Sequence, residues 1–269
     1  MSGSLSLLKW LRDNGCPMNA WACTKAAEGG HLEILQWLRA NDCPWDGKLT
    51  GAHAAFTSNG IPILEWLVDQ GYVLRSAAAR GAAYSGRLEV LMWLREHGCP
   101  WRAGVGIQAA LKGDVRNLEW LRKNGCPFRK LAFARAAGAG HIEVLKWSME
   151  NGFKLRRKYF VFAAESGRVE VLKWLLENGC PLSEKACAKA AAAGNLEMLK
   201  WLRANKWFWD YNTCSRAARN GHLEVLKWAR ENRCSWEMRT YKAAAKGGHL
   251  EVLKWQKKTD VLGIPNQQY

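Results

Sequence analysis

Cysteine, histidine and tryptophan are the residues here whose numbers and spacing could do chemistry: nine Cys, six His and sixteen Trp in 269 residues. Cysteine with histidine can hold zinc, and paired cysteines can form a disulfide framework. Yet Cys16, Cys43, Cys99, Cys126, Cys180 and Cys234 share one phase of a regular spacing, Cys23, Cys187 and Cys214 share another, and no CxxC pair occurs. An odd count spread along the chain reads as reduced, buried thiols in a reducing compartment. His31, His141, His222 and His249 occupy a position that elsewhere holds Arg87, Asp114, Arg168 or Asn195. Such exchange fits a polar residue at a helix start and argues against a catalytic base. No nucleophile, base and orienter converge in any motif, and neither a phosphate-cradling glycine loop nor a paired-carboxylate site is visible. The expectation is a non-enzyme without cofactor or metal.

The charge balance is uneven, with 40 Lys and Arg against 24 Asp and Glu, a formal net charge of +16 and a pI near 9.6. A field of that sign draws in polyanions or acidic protein surfaces. The densest basic stretch is "KLRRK", Lys154 to Lys158. It could be a nuclear address, a nucleic-acid-binding run or one row of a repeated feature. The start "MSGSLSLLKW" lacks the basic-then-apolar plan of a signal peptide, and no run of about 18 apolar residues occurs. The default is a soluble protein of the cytoplasm or nucleus with no membrane partner.

The elements that position these residues follow from the tryptophans. Trp10, Trp37, Trp66, Trp93, Trp120, Trp147, Trp174, Trp201, Trp228 and Trp255 are 27 residues apart, except for 29 between Trp37 and Trp66. A fixed period of this size marks a solenoid of supersecondary units. Within a unit such as "AAESGRVEVLKWLLENGCPL", an Ala-rich segment ends at Gly167. Val169, Val171, Leu172 and Leu175 then follow at helical spacing, and a Gly-Cys-Pro turn closes the unit. Glycine recurs seven residues before each of eight tryptophans, from Gly30 to Gly248, as the left-handed end of a first helix. Glu33, Glu89, Glu143, Glu170, Glu197, Glu224 and Glu251 fall in the first turn of a second helix, where negative charge meets the favourable dipole end. Pro17, Pro44, Pro100, Pro127 and Pro181 block its continuation. Each unit is therefore helix A, tight turn, helix B and short loop. A tryptophan at one phase of an apolar helix B belongs between repeats rather than on a base-stacking platform.

The phrase "GHLEVLKW" at Gly221 to Trp228, echoed at Gly30, Gly140 and Gly248, resembles the start of the ankyrin second helix. The 27-residue period and the absence of a "TPLHxA" opening match the shorter "CPW" variety of ankyrin-like repeat, in which a short loop replaces the hairpin. The resemblance implies an all-α, ankyrin-like helix-turn-helix repeat solenoid without long hairpins. It also implies protein recognition as the commonest use. The expected organisation is a single solenoid of about nine to ten units over residues 1–256, irregular near 46–66 where Pro62 replaces the expected Glu, and a polar, frayed tail over 257–269. The first unit lacks helix A, which leaves a monomer or association through that incomplete repeat.

Two basic ladders flank the Trp series. Lys146, Lys173, Lys200, Lys227 and Lys254 precede it, and Glu three residues earlier can pair with each. Arg12, Arg39, Arg95, Arg122, Arg203 and Arg230 follow two residues later, on what reads as the same solvated face. A third ladder, nine residues after the Trp, runs Asn19, Asp46, Arg75, Arg102, Arg129, Arg156, Ser183, Asp210, Glu237. This position precedes helix A, where Asn, Asp and Ser cap the free N–H groups. Four consecutive units carry arginine instead, at a cost of about 1 kcal/mol per lost cap plus a few tenths for a cation at the positive dipole end. A local cost repeated in adjoining units suggests a compensating use, and Lys130, Arg157 and Lys158 add charge inside the same helix starts. The expected partner site is therefore Arg75, Arg102, Arg129, Lys130, Arg156, Arg157 and Lys158, a basic stripe that meets an acidic protein. The alternatives are sequence-independent nucleic-acid binding through phosphates, and an adaptor in a ubiquitin-ligase-type assembly.

Overall fold

A computed structural model describes residues 4–183, 185–235 and 237–261. Among these, nineteen α-helices and no strand are found. The chain divides into two compact units, Met1–Ala132 and Phe133–Tyr269. The first contains α1 (Leu5–Asp13), α2 (Ala20–Glu28), α3 (Leu32–Ala40), α4 (Gly47–Ala54), α5 (Gly60–Asp69), α6 (Ser76–Ser85), α7 (Leu88–Glu96), α8 (Gly104–Lys112) and α9 (Val115–Lys123). The division falls inside α10 (Lys130–Ala139). The second unit continues with α11 (Ile142–Glu150), α12 (Arg157–Glu165), α13 (Val169–Glu177), α14 (Ala186–Ala192), α15 (Leu196–Ala204), α16 (Tyr211–Arg219), α17 (Leu223–Glu231), α18 (Met238–Gly247) and α19 (Leu250–Val261).

Within each unit, helix A packs on the next helix A and on its own helix B: α2 on α4, α4 on α6 and α6 on α8 in the first, α12 on α14, α14 on α16 and α16 on α18 in the second. This is the contact pattern of an all-α repeat solenoid. Helix A contributes fully buried alanines, such as Ala78, Ala79, Ala82 and Ala83, whose small side chains let neighbouring helices approach closely. Helix B contributes triplets such as Ile63, Leu64 and Leu67, or Val90, Leu91 and Leu94, all fully buried. Each such aliphatic side chain stabilises by about 1.5–3 kcal/mol on leaving water.

The glycine ladder has the expected conformation: from Gly30 to Gly248 its members adopt φ between 70° and 98°. The glutamates also stand in the first turns of the B helices. The tryptophans are less buried than the repeat reading expects. Trp147 and Trp93 are 4% and 9% exposed, Trp10 is 60% exposed, and the rest of the series is half-buried. The reason is their phase on helix B. The aliphatic triplet holds the seam, while the Trp lies on its flank and covers the loop of the preceding repeat. Trp66 meets Trp45, Trp120 meets Trp101 and Trp228 meets Trp209 at ring-centroid distances of 6.4, 5.4 and 5.7 Å. Trp236, which like Trp45, Trp101 and Trp209 follows a helix B Trp by eight residues, lies outside the described residues.

The irregularity near 46–66 stays local. Pro62 falls within the first turn of α5, where its missing N–H has no intrahelical role, and the two additional residues lie in the turn between α4 and α5. Gly60 lies so close to α4 that a Cβ there would clash with the Ala54 carbonyl oxygen. Of the tail drawn at 257–269, residues 257–261 complete α19, and the rest, with the fraying expected there, lie outside the described residues.

Candidate partner-binding surface

Two of the predicted cap positions are N-caps occupied by arginine. Arg75 (φ −126°, ψ 153°) precedes α6 and Arg156 (φ −139°, ψ 149°) precedes α12, and neither side chain accepts a hydrogen bond. Asn19, Asp46 and Asp210 in the same phase accept from Trp21, from Lys48 and Leu49, and from Asn212 respectively. Ser76 is the first residue of α6 and does not replace the missing cap. Arg102 departs from the expectation by one residue. Ala103 holds the N-cap of α8 in a helical conformation, so Arg102 stands just outside. At Arg129 the carbonyl accepts from the Ala132 N–H at 2.9 Å as α10 begins.

The cysteine ladder fixes this position. The Cys99 thiol donates to the Arg75 carbonyl at 3.4 Å, and Cys180 donates to Arg156 at 3.5 Å. Cys43 and Cys234 make the same bond to Asn19 and Asp210, each at 3.4 Å. Each thiol ties the loop that closes a repeat back to the residue that starts the same repeat's helix A. Burial pushes the Cys99, Cys126 and Cys180 thiols up to about 11, which keeps them protonated as donors. Burial also raises Tyr72 and Tyr159 to about 12, against an opposing influence from Arg75 and Arg156 respectively.

In the first unit the arginines converge. Arg75, Arg102 and Arg129 line one open groove of about 710 Å³, together with Lys48 and Arg80. Val73, Leu74, Ala77, Pro100 and Ile107 form its apolar portion, and no carboxylate lines it. All five cations are exposed, and none makes an ion pair among the described residues. Uncompensated like charges in one concavity repel each other and attract an anionic partner. The sequence reading missed Lys48 and Arg80. Arg80 lies one turn into α6, and its stem crosses the start of α8 at Gly104, where a Cβ would meet Arg80 Cδ at 2.9 Å. Lys130 does not line the groove. Arg156, Arg157 and Lys158 belong to the second unit, exposed at the start of α12.

The other basic ladders have partners. Lys146, Lys173, Lys200, Lys227 and Lys254 pair with Glu three residues earlier at 2.8–2.9 Å, as the spacing predicts. The arginines two residues after the Trp differ from a merely solvated face. Arg39, Arg95 and Arg203 lie over the Trp45, Trp101 and Trp209 rings at 4.9, 4.8 and 4.4 Å, and Arg12 lies over Trp37 at 5.0 Å. The histidine position also has a role that the sequence reading only half sees. Asp114 and Asn195 cap their own helices, whereas His222 Nε2 and the Arg168 guanidinium reach the preceding repeat's Ala192 and Gly138 carbonyls at 3.0 and 3.3 Å. An Asn four residues after the Trp was overlooked as well. Its amide donates to the Trp carbonyl at 2.7–2.9 Å at Asn14, Asn41, Asn124, Asn151, Asn178, Asn205 and Asn232.

The helix-turn-helix units and their stacking define a helical repeat protein. The family model for ankyrin repeats (many copies) matches residues 1–39, 160–203 and 187–230. Over these segments the chain is similar to ankyrin repeats, which supports an ankyrin-like repeat protein. Ankyrin repeat proteins are generally non-catalytic, and this fold supports a protein-binding repeat scaffold. The basic groove lies between the first and second matched segments. No curated protein matches the chain. Among the described residues, no helix is long and apolar enough to cross a membrane, and no group of three His, Cys, Asp or Glu side chains could hold a metal ion.

Proposed function

We propose that this chain is a scaffold of the 27-residue "CPW" repeat variety that recognises an acidic protein partner through arginines at its helix A starts. The carrying observation is the convergence of Arg75, Arg102 and Arg129 on one groove without a neutralising carboxylate. Arginine suits this role because its guanidinium stays charged and grips a carboxylate with two N–H donors. The α6 start adds backbone N–H groups that no cap side chain occupies. Arg156, Arg157 and Lys158 offer the same chemistry at the start of α12. The cysteine hydrogen bonds, which require thiols, support a reducing compartment, cytoplasmic or nuclear.

The test is affinity capture on the immobilised full-length chain, with and without nuclease, beside a variant in which Arg75, Arg102 and Arg129 are changed to Glu. The expected result is one or a few specific proteins that survive nuclease and elute as salt rises, and that the variant fails to retain. Capture abolished by nuclease would reject the protein reading in favour of nucleic acid. Equal capture by the variant would remove the groove from the account.

A further inference from the structure

The basic groove is continuous with a second hollow on the same unit. That hollow, about 440 Å³, shares Ala77 and Arg80 with the groove and extends along the A helices to Leu49, Phe56 and Tyr84, with His53 and Gln108 at its margin. Its character is different. Tyr84 is 49% exposed and Leu49 36% exposed, and the Tyr84 ring stands edge-on to Phe56 at 6.0 Å. Phe56 in turn lies 5.6 Å from the His53 ring. Arg80 marks the change from cationic to aromatic and apolar surface. One face thus presents positive charge at the helix starts and an aromatic shelf toward the helix ends.

We infer that this face takes a bipartite peptide, an acidic cluster seated among Arg75, Arg102 and Arg129 and an apolar or aromatic anchor seated against Leu49, Phe56 and Tyr84. The inference rests on the acidic-partner reading and adds the anchor and its spacing. From Ser76 to Tyr84 the helix α6 rises about 12 Å at about 1.5 Å per residue, which an extended peptide spans in about four residues. The anchor therefore lies about four residues from the acidic cluster. Apolar groups between the cations, Val73, Leu74 and Ile107, favour a peptide over bare phosphodiester, because they would strand aliphatic surface beneath a charged backbone. Multipoint recognition of this kind derives its selectivity from the anchor and its salt dependence from the acids.

The probe is a fluorescein-labelled peptide of four glutamates, a Ser-Gly-Ser spacer and a phenylalanine, titrated by anisotropy against the full chain. Companion peptides replace the phenylalanine by alanine, lengthen the spacer to ten residues, or replace the glutamates by glutamine, and a twelve-nucleotide single strand is run in parallel. Loss of the phenylalanine is expected to weaken binding about tenfold. Tyr84→Ala is expected to remove the same factor for the parent peptide and none for the alanine peptide, which a merely structural Tyr84 would not do. Arg102→Gln with Arg129→Gln should weaken every glutamate peptide alike. Binding by the glutamates that ignores the phenylalanine or its spacing overturns the bipartite inference and leaves the acidic-partner reading standing. Failure of every glutamate peptide to bind, or tighter binding of the single strand that displaces them, overturns both.

Discussion

Replacing Arg75 and Arg156 by Asp should make the protein more stable while removing charge from its proposed binding surface. Both residues hold extended N-cap conformations close to those of Asn19 (φ −132°, ψ 171°) and Asp210 (φ −139°, ψ −173°), whose side chains do cap. An Asp at either position can accept from the N–H two residues on, as Asp210 does from Asn212 at 3.0 Å. The regained cap is worth about 1 kcal/mol, and exchanging a cation for an anion at the positive dipole end adds roughly 0.5 kcal/mol. The double variant should gain about 3 kcal/mol, or about 6–12 °C in Tm at about 2–4 °C per kcal/mol. Arg102→Asp is the internal control. Because Ala103 holds that cap, the change should gain about 0.5 kcal/mol or less. Thermal and urea unfolding followed by circular dichroism would read all three. Equal gains at positions 75, 102 and 156, or no gain at any, would refute the cap argument and with it the claim that these arginines are held at a cost.

Other consequences test the packing. Asn117 is fully buried in α9 with both amide atoms unpartnered, at the position that Val90 and Val144 fill elsewhere. Asn117→Val should raise stability by about 1–3 kcal/mol in chemical unfolding, and a loss would show that the amide has a partner. Gly194→Ala should cost about 1–3 kcal/mol, because Gly194 has φ 72° and a Cβ would meet His222 Nδ1 at 2.6 Å; an unchanged Tm would contradict this. Burial raises Cys23 and Cys187 to about 12 and Cys99, Cys126 and Cys180 to about 11. Their stabilisation is complete below the ordinary thiol value near 9 and is lost as pH rises from there toward 11–12. Tm should fall steeply over that window, by about 1.4 kcal/mol of stability per thiol per pH unit once the unfolded thiols ionise. A flat profile from pH 8 to 11 would show that the thiols are not protected.

The repeat was legible because each helix boundary has its own chemical mark at a fixed distance from a Trp. The left-handed glycines, the first-turn glutamates and the Lys–Glu pairs depend on local backbone and helix geometry, so spacing was enough. What spacing could not supply was the direction of long side chains between repeats. Arg39, Arg95 and Arg203 read as solvent-facing until the loop tryptophans are seen beneath them. Arg80 and Lys48 read as ordinary helix-surface residues until the stacking of α4, α6 and α8 turns them into one concavity with Arg75, Arg102 and Arg129. The one-residue displacement at Arg102 escaped for a related reason. Ala103 gives no chemical signal for a cap, and spacing alone does not show that the bare Gly104 leaves room for Arg80 across that start.

The most direct test of the acidic-partner surface is a paired titration of the parent chain and the variant with Arg75, Arg102 and Arg129 changed to Asp. The ligands are a labelled polyglutamate peptide and single- and double-stranded oligonucleotides, over a range of salt concentrations. The account predicts that the parent binds the acidic peptide in a salt-sensitive manner, that the peptide holds its own against oligonucleotide competitor, and that the variant loses it by tenfold or more. A parent that ignores the acidic peptide, or one whose peptide binding survives intact in the variant, would contradict it.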